Sequence, residues 1–149
     1  MSRQFALAEL DPKAAAEELF DARKGEGAWL DAFIEHLDRQ RSGRSLARTL
    51  AVWGLSRAEA ARLLGVSRQA VGKWLEHGVP AERATLVADL AAATDVLVHY
   101  LKRDRIRAVV RRPLPERQNT SLVQMLAQGD SGELLATCRN MFDFARAHD

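Results

Sequence analysis

Apolar residues recur along this chain at intervals of three and four, the period of a helix packed on one side. Trp29, Leu30, Phe33, Ile34 and Leu37 form one such stripe, and Leu46, Leu50 and Trp53 form a second, shorter one. A long helix beginning at Pro80 is predicted from Leu86, Leu90, Leu97 and Leu101, with Val87, Ala93 and Val98 alongside. Leu122, Met125 and Leu126 mark a short helix, and Leu134, Leu135, Cys138, Met141, Phe142 and Ala145 line one face of a last one. Punctuation between the stripes sets their limits. Asp11-Pro12 opens a first helix running to about Arg23, because Asp caps free amides and Pro suits the first turn. Lys24-Gly25-Glu26-Gly27 breaks it; Gln40 to Gly43 reads as a polar connection, and Gly54 ends the helix carrying Trp53. Pro113 and Pro115 impose an extended break, after which Thr120 or Asn119 is the expected cap and Gly129 the stop. Asp130 caps the last helix, with Glu133 at capping-box spacing.

Composition agrees with this all-α reading. Ala and Leu supply 25 and 20 of the 149 residues, while Ile occurs only at Ile34 and Ile106. Such a chain favours helix over strand. With 47% hydrophobic and 28% charged residues it has the means to fold, which excludes a disordered tail. A single cysteine, Cys138, excludes a disulfide framework and a Cys-rich zinc site. No apolar run approaches the ~18–20 residues of a membrane span, and MSRQFALAELDPK lacks the apolar core of a signal peptide. A soluble cytoplasmic protein is the expectation.

One stretch carries more. Ser56 caps a short helix with Glu59 in the capping-box position, and Ala60, Leu63 and Leu64 form its apolar side. Gly65 stands where the chain must turn sharply, with Val66 beneath the turn. Ser67 caps a second helix whose inward side is Ala70, Val71, Trp74 and Leu75; Gly78 ends the unit. Small Ala61, Gly65 in the turn, β-branched Val71 and bulky Trp74 together resemble the helix-turn-helix of bacterial repressors. In such units the second helix enters the major groove and its first residues reach base edges. Arg68 is then placed to fork onto guanine and Gln69 onto adenine. Lys73, Arg57 and the amide and hydroxyl of Ser56 suit phosphate, while Ser67, Gly72, Glu76 and His77 complete the outward face.

Charge supports this placement. The net of +2 conceals −4 over residues 1–40, +5 over 41–77, +3 over 78–112 and −2 over 113–149, and 18 of the 22 basic residues are Arg. A basic centre is the electrostatic footprint of a nucleic-acid binder. The run from Lys102 to Arg112 reads equally as a flank for the DNA backbone or as a solvated helix face. His36, His77, His99 and His148 are scattered without partners at metal-ligand spacing, so no metal, no cofactor and no enzymatic activity are expected. Cys138, Trp29, Trp53 and Trp74 read as core residues. Site-specific recombinases carry a similar helix-turn-helix behind a catalytic domain of well over a hundred residues, but only 55 residues precede Ser56 here. A module that has lost DNA binding would have no reason to keep Arg68, Gln69 and Lys73.

The segment after the helix-turn-helix extends the likeness. A Pro-rich break at Pro113, the short helix Ser121-Leu122-Val123-Gln124-Met125-Leu126, the Gly129 stop and a closing amphipathic helix to Phe142 resemble the Xre/MbcA/ParS-type antitoxins. The resemblance covers about residues 45–145. Where family members usually carry a Gly and a Pro, this chain has Gln118-Asn119-Thr120-Ser121. It implies three parts: an N-terminal helical extension (1–42), a helix-turn-helix domain (43–79), and a helical bundle for partner binding or dimerisation (80–149). It also implies a homodimer on double-stranded DNA that represses its own promoter. Residues 122–149 would occlude a RES-type, NAD-degrading toxin, with Met141, Phe142 and Phe144 as candidate contacts. Phe142 lies on the apolar stripe and equally suits the protein's own core or a dimer interface, whereas Phe144 falls off the stripe. A stand-alone regulator without a toxin is the alternative.

Overall fold

Five helices of this protein start in the same way: Asp11, Ser56, Ser67, Ser121 and Asp130 each accept a hydrogen bond from the backbone N–H three residues on. Each side chain satisfies an amide that the first helical turn leaves without a partner. The computed structural model describes residues 7–143. Among the described residues the fold is all-α, as expected. Its helices are α1 (Pro12–Ala22), α2 (Gly27–Trp53), α3 (Arg57–Leu64), α4 (Arg68–His77), α5 (Ala84–Tyr100), α6 (Arg103–Val109), α7 (Leu122–Ala127) and α8 (Ser131–Asn140). Short 3₁₀ turns occupy Ala81–Arg83 and Pro115–Arg117, and a lone bridge pairs Leu114 with Thr120.

The chain divides into two compact units, one ending at Asp38 and the other beginning at Arg39. In the first, the Arg23 guanidinium lies 4.3 Å from the Trp29 ring centroid and pairs with Glu26 at 2.9 Å. Trp29 stacks on Phe33 with centroids 5.4 Å apart. No residue of 7–38 is buried.

Among its described residues the second unit has a single buried cluster. Leu46, Val52 and Trp53 of α2 meet Ala61 of α3 and Val71 of α4 there, together with Leu90 and Leu97 of α5. Ile106, Leu122, Leu134 and Cys138 close it from α6, α7 and α8. The stretches expected as a helix-turn-helix domain and a C-terminal domain thus contribute to one core. Trp53 is fully buried and donates from Nε1 to Thr94 Oγ1 at 3.1 Å, while Thr94 donates back to the Leu90 carbonyl at 2.7 Å. Ser131 of α8 donates to Asp89 of α5 at 2.7 Å, and Phe142 stacks on Tyr100 at 4.5 Å.

Several sequence expectations are corrected. Residues 40–43 are not a connection: α2 runs unbroken from Gly27 to Trp53. Arg39, Gln40 and Arg41 are polar because they are exposed, and they are good helix formers. Gly43 is buried in the helix interior, where an added Cβ would lie 2.7 Å from the Trp74 carbonyl oxygen and 3.2 Å from that of Leu75. Its missing side chain lets the end of α4 rest on α2. The cap of α7 is Ser121, not Thr120 or Asn119. Thr120 is held in the bridge to Leu114, and Asn119 takes a positive φ of 61° beside Gln118 at 58°. Val98 is exposed rather than part of the α5 face, and Leu86 and Leu101 are half-buried. The segment at Pro80 begins as a 3₁₀ turn, with α5 starting at Ala84. Asp130 does cap α8, but the Glu133 carboxylate turns to Arg117.

Gly43 supplies a direct test. An alanine in an exposed helix interior gains ~1 kcal/mol over glycine, whereas overpacking against rigid backbone costs ~1–3 kcal/mol. With the clash at a backbone oxygen the second effect wins, so Gly43→Ala is expected to lower stability by about 1–2 kcal/mol in urea unfolding. An unchanged or raised midpoint would show that α4 does not rest on Gly43.

Candidate nucleic-acid interface

The α3–turn–α4 hairpin is built by local signals and held by distant ones. At its start the Glu59 amide donates to Ser56 Oγ at 3.1 Å, and the Ser56 amide donates to the Glu59 carboxylate at 3.4 Å. The backbone hydrogen bond from Ser56 is the main cause that draws the Glu59 pKa below its ordinary value, with the Ser56 hydroxyl, Arg111 and Arg62 assisting. A lowered carboxyl pKa favours the folded state above the unfolded pKa, and that contribution disappears as pH falls through the folded one. Gly65 takes φ 68° and ψ 33°, the left-handed conformation that lets Val66 N–H reach the Ala61 carbonyl at 2.9 Å. Ser67 then caps α4 through the Ala70 amide at 3.0 Å.

Behind the hairpin, Ala61 and Val71 are buried where the helices cross, and Trp74 and Leu75 are half-buried against the core. Arg83, just ahead of α5, sits 5.4 Å from the Trp74 ring centroid and donates to the Leu64 carbonyl at 3.3 Å. Gly78 takes φ 94° and lies so close to the Arg39 backbone that any Cβ would collide with it. The inward side of the hairpin is therefore fixed at both ends.

Its outward side carries the residues expected from the sequence. Ser56, Arg57, Ser67, Arg68, Gln69, Lys73, Glu76 and His77 are all exposed. Gly72 is half-buried, and the position its Cβ would take is 3.7 Å from Arg57 Nη1. Arg57 of α3 thus places its guanidinium beside Gly72 of α4. His77 lies 3.6 Å from the Glu76 carboxylate. Ser56 departs from its expected role in one respect: its amide is taken by Glu59.

The basic run 102–112 divides. Lys102, Arg103, Arg105 and Arg112 are exposed. Arg107 lays its aliphatic chain over Gly54, where an added Cβ would be 2.8 Å from its Cδ. Arg111 donates to the carbonyls of Trp53, Gly54 and Arg107, each at 2.8 Å, and lies 3.7 Å from Glu59. It closes the C-terminal end of α2, where free carbonyls favour a cation. Nothing local in the sequence marked Arg111 or Thr94 for these tasks, since every partner except the Arg107 and Leu90 carbonyls is distant along the chain.

Of the candidate partner contacts, Met141 and Phe142 are half-buried against the protein's own core, and Phe144 lies outside the described residues. Among the described residues no group of three or more His, Cys, Asp or Glu could hold a metal ion, and no helix is long and apolar enough to cross a membrane. Cys138 is fully buried, and desolvation pushes its thiol up to about 12.

No known family profile matches the chain, and no curated protein matches it. Among solved structures, it is similar to a chain in the crystal structure of the M. tuberculosis MbcT–MbcA toxin–antitoxin complex. The match has a TM-score of 0.55 and 19% identity over 68% of this chain and 93% of that one. At that identity the likeness is one of fold.

Two measurements test these assignments. Arg111→Met should cost about 1–3 kcal/mol by stranding carbonyls at the end of α2; an unchanged unfolding midpoint would free Arg111 for another role. Cys138 should resist a thiol reagent at pH 8 and react only as fast as the chain unfolds. Because its folded pKa is the higher one, the thiol's contribution is complete below the unfolded pKa of about 9 and is lost as pH rises towards 12. Rapid labelling of the folded protein would contradict its burial.

Proposed function

We propose that this chain is a sequence-specific DNA-binding protein that acts as the antitoxin of a toxin–antitoxin pair. The observation that carries the DNA-binding part is the outward face of α4. Arg68, Gln69 and Lys73 stand exposed on a hairpin whose opposite side is fixed to the core. Preorganised side chains lose less freedom on docking. With α4 in the major groove, Arg68 is suited to the O6 and N7 acceptors of guanine and Gln69 to the N6/N7 edge of adenine. Lys73 and Arg57 hold phosphates on either side and fix the register.

The antitoxin part is supported by the fold shared with a chain of the MbcT–MbcA complex. In this reading the protein is a cytoplasmic homodimer without catalytic activity of its own, and it represses its own promoter. Residues 122–149 occlude the cleft of a RES-type toxin that degrades NAD. Met141 and Phe142 are half-buried against their own core, so part of each side chain remains open to that contact.

Arg68→Ala or Gln69→Ala should relax preference at one base, each at a cost of roughly 1–3 kcal/mol. Lys73→Ala should weaken binding about evenly across sequences and reduce the salt slope by about one. Protection of paired half-sites ~34–36 Å apart, or a multiple of that, is expected from the dimer. Variants that bind a promoter fragment as well as the parent would remove α4 from the groove. For the toxin, the test is co-expression with the neighbouring reading frame: growth arrest by the neighbour alone, relieved by this chain. A harmless neighbour would leave a stand-alone regulator.

A further inference from the structure

One glycine of this protein is required by nothing inside it. Five of the nine, Gly25, Gly54, Gly65, Gly78 and Gly129, take a positive φ. Gly27 and Gly132 stand in the first turns of α2 and α8, and a Cβ on Gly43 would collide with backbone. Gly72 has none of these reasons. It lies in the interior of α4, and a Cβ there would meet no atom closer than Arg57 Nη1 at 3.7 Å, an ordinary contact. An alanine would therefore fit, and it would strengthen the helix, because glycine gives up more freedom when a helix forms. A glycine that weakens its own short helix and relieves no internal clash points to a contact from outside.

Its position says where that contact comes from. At about 100° per residue, Gly72 falls one turn on from both Arg68 and Gln69, within the exposed arc that those two share with Lys73 and Glu76. Side chains stand around it, and at Gly72 itself the surface of α4 drops to the Cα. We propose, as an inference that rests on the DNA reading of α4, that Gly72 is where the backbone of this helix comes closest to the duplex. Its missing side chain sets how deeply α4 seats in the major groove, and so whether Arg68 and Gln69 reach base edges.

The dimensions favour this. A major groove is about 12 Å wide and a helix with its side chains about 10–12 Å across, so the fit leaves little clearance. A helix bare at the middle of its leading face enters further, and close approach of backbone to a ligand is a use to which glycine is suited. Depth matters unequally to the two kinds of contact. A forked hydrogen-bond pair to a base needs both bonds in line, whereas a flexible arginine or lysine follows a phosphate through a small shift. Lifting α4 by the thickness of a methyl group should therefore remove specificity and spare general affinity. Arg57 borders the same notch but leaves the Cβ position free, so it is not what the glycine accommodates.

Fluorescence anisotropy of the full chain on two duplexes tests this, one carrying the chain's own promoter and one of random sequence and equal length. The parent should prefer the promoter. Gly72→Ala should raise the urea midpoint, by an amount equal to about a five-fold gain in the folded-to-unfolded ratio. It should also weaken promoter binding about ten-fold or more, while binding to the random duplex stays within about two-fold. Gly72→Gln, with another good helix former, should bind the two duplexes about equally. The loss from Gly72→Ala should keep its full size in an Arg57→Ala background, since the duplex and not Arg57 meets the added methyl. An alanine variant that binds the promoter as well as the parent overturns the inference and leaves α4 a DNA reader. The same holds if that variant is less stable than the parent, loses both duplexes alike, or recovers when Arg57 is removed. A parent that prefers neither duplex removes the DNA reading itself, and the role of Gly72 with it.

Discussion

Everything in residues 39–143 depends on burying Trp53 at the end of a long helix. The indole is the largest fully buried side chain, and it sits where α2 stops and the chain turns towards α3. Burying it requires a partner for its N–H, which Thr94 of α5 supplies, and a cation for the carbonyls that α2 leaves open, which Arg111 supplies. The two partners come from opposite sides of the chain's second half, so α5 and the segment after α6 are fixed by the same residue. Thr94 is itself satisfied by the Leu90 carbonyl. A buried polar atom left without a partner would cost ~1–3 kcal/mol, and no side-chain atom among the described residues is left so.

That constraint explains why the hairpin is rigid where it must be. Two helices of eight and ten residues cannot fold alone. Here α3 starts beside Glu59, within reach of Arg111, and α4 ends against Gly43 and the Arg39 backbone. Arg83 holds the turn from the side of α5 by bonding the Leu64 carbonyl. The surface of Arg68, Gln69 and Lys73 is thus positioned by contacts that none of those residues makes.

What the sequence made legible was local. Ser56 with Glu59, Gly65, and Ser67 act over three or four residues, and their chemistry is the same in a peptide as in the protein. A local sign misleads where its cause is distant. Gly43 looks like a breaker until Trp74 is seen against it, and Glu133 looks like a cap partner until Arg117 takes its carboxylate. Thr120 looked like a cap because its pairing with Leu114 is not a property of either residue. Arg107 and Arg111 looked like two more charges in a basic run, because their roles depend on carbonyls some fifty residues away.

The same distinction changes how the basic centre should be counted. Arg48 pairs with Asp95 at 2.6 Å, Arg83 lies on Trp74, and Arg107 and Arg111 cover the end of α2. Four of the fourteen basic residues between 41 and 112 are therefore engaged within the fold, Arg107 and Arg111 at the end of the helix that carries the hairpin's base. The charge that remains on the hairpin's outward side is Arg57, Arg68 and Lys73, with Glu76 opposing it beside His77. Affinity for DNA at large scales with the number of phosphates neutralised. The hairpin face by itself, with three cations, gains little from a generic duplex. Under the proposed function its binding must come from the base contacts of Arg68 and Gln69, and from joining two such surfaces in one dimer, since two weak sites held together bind far more tightly than either alone.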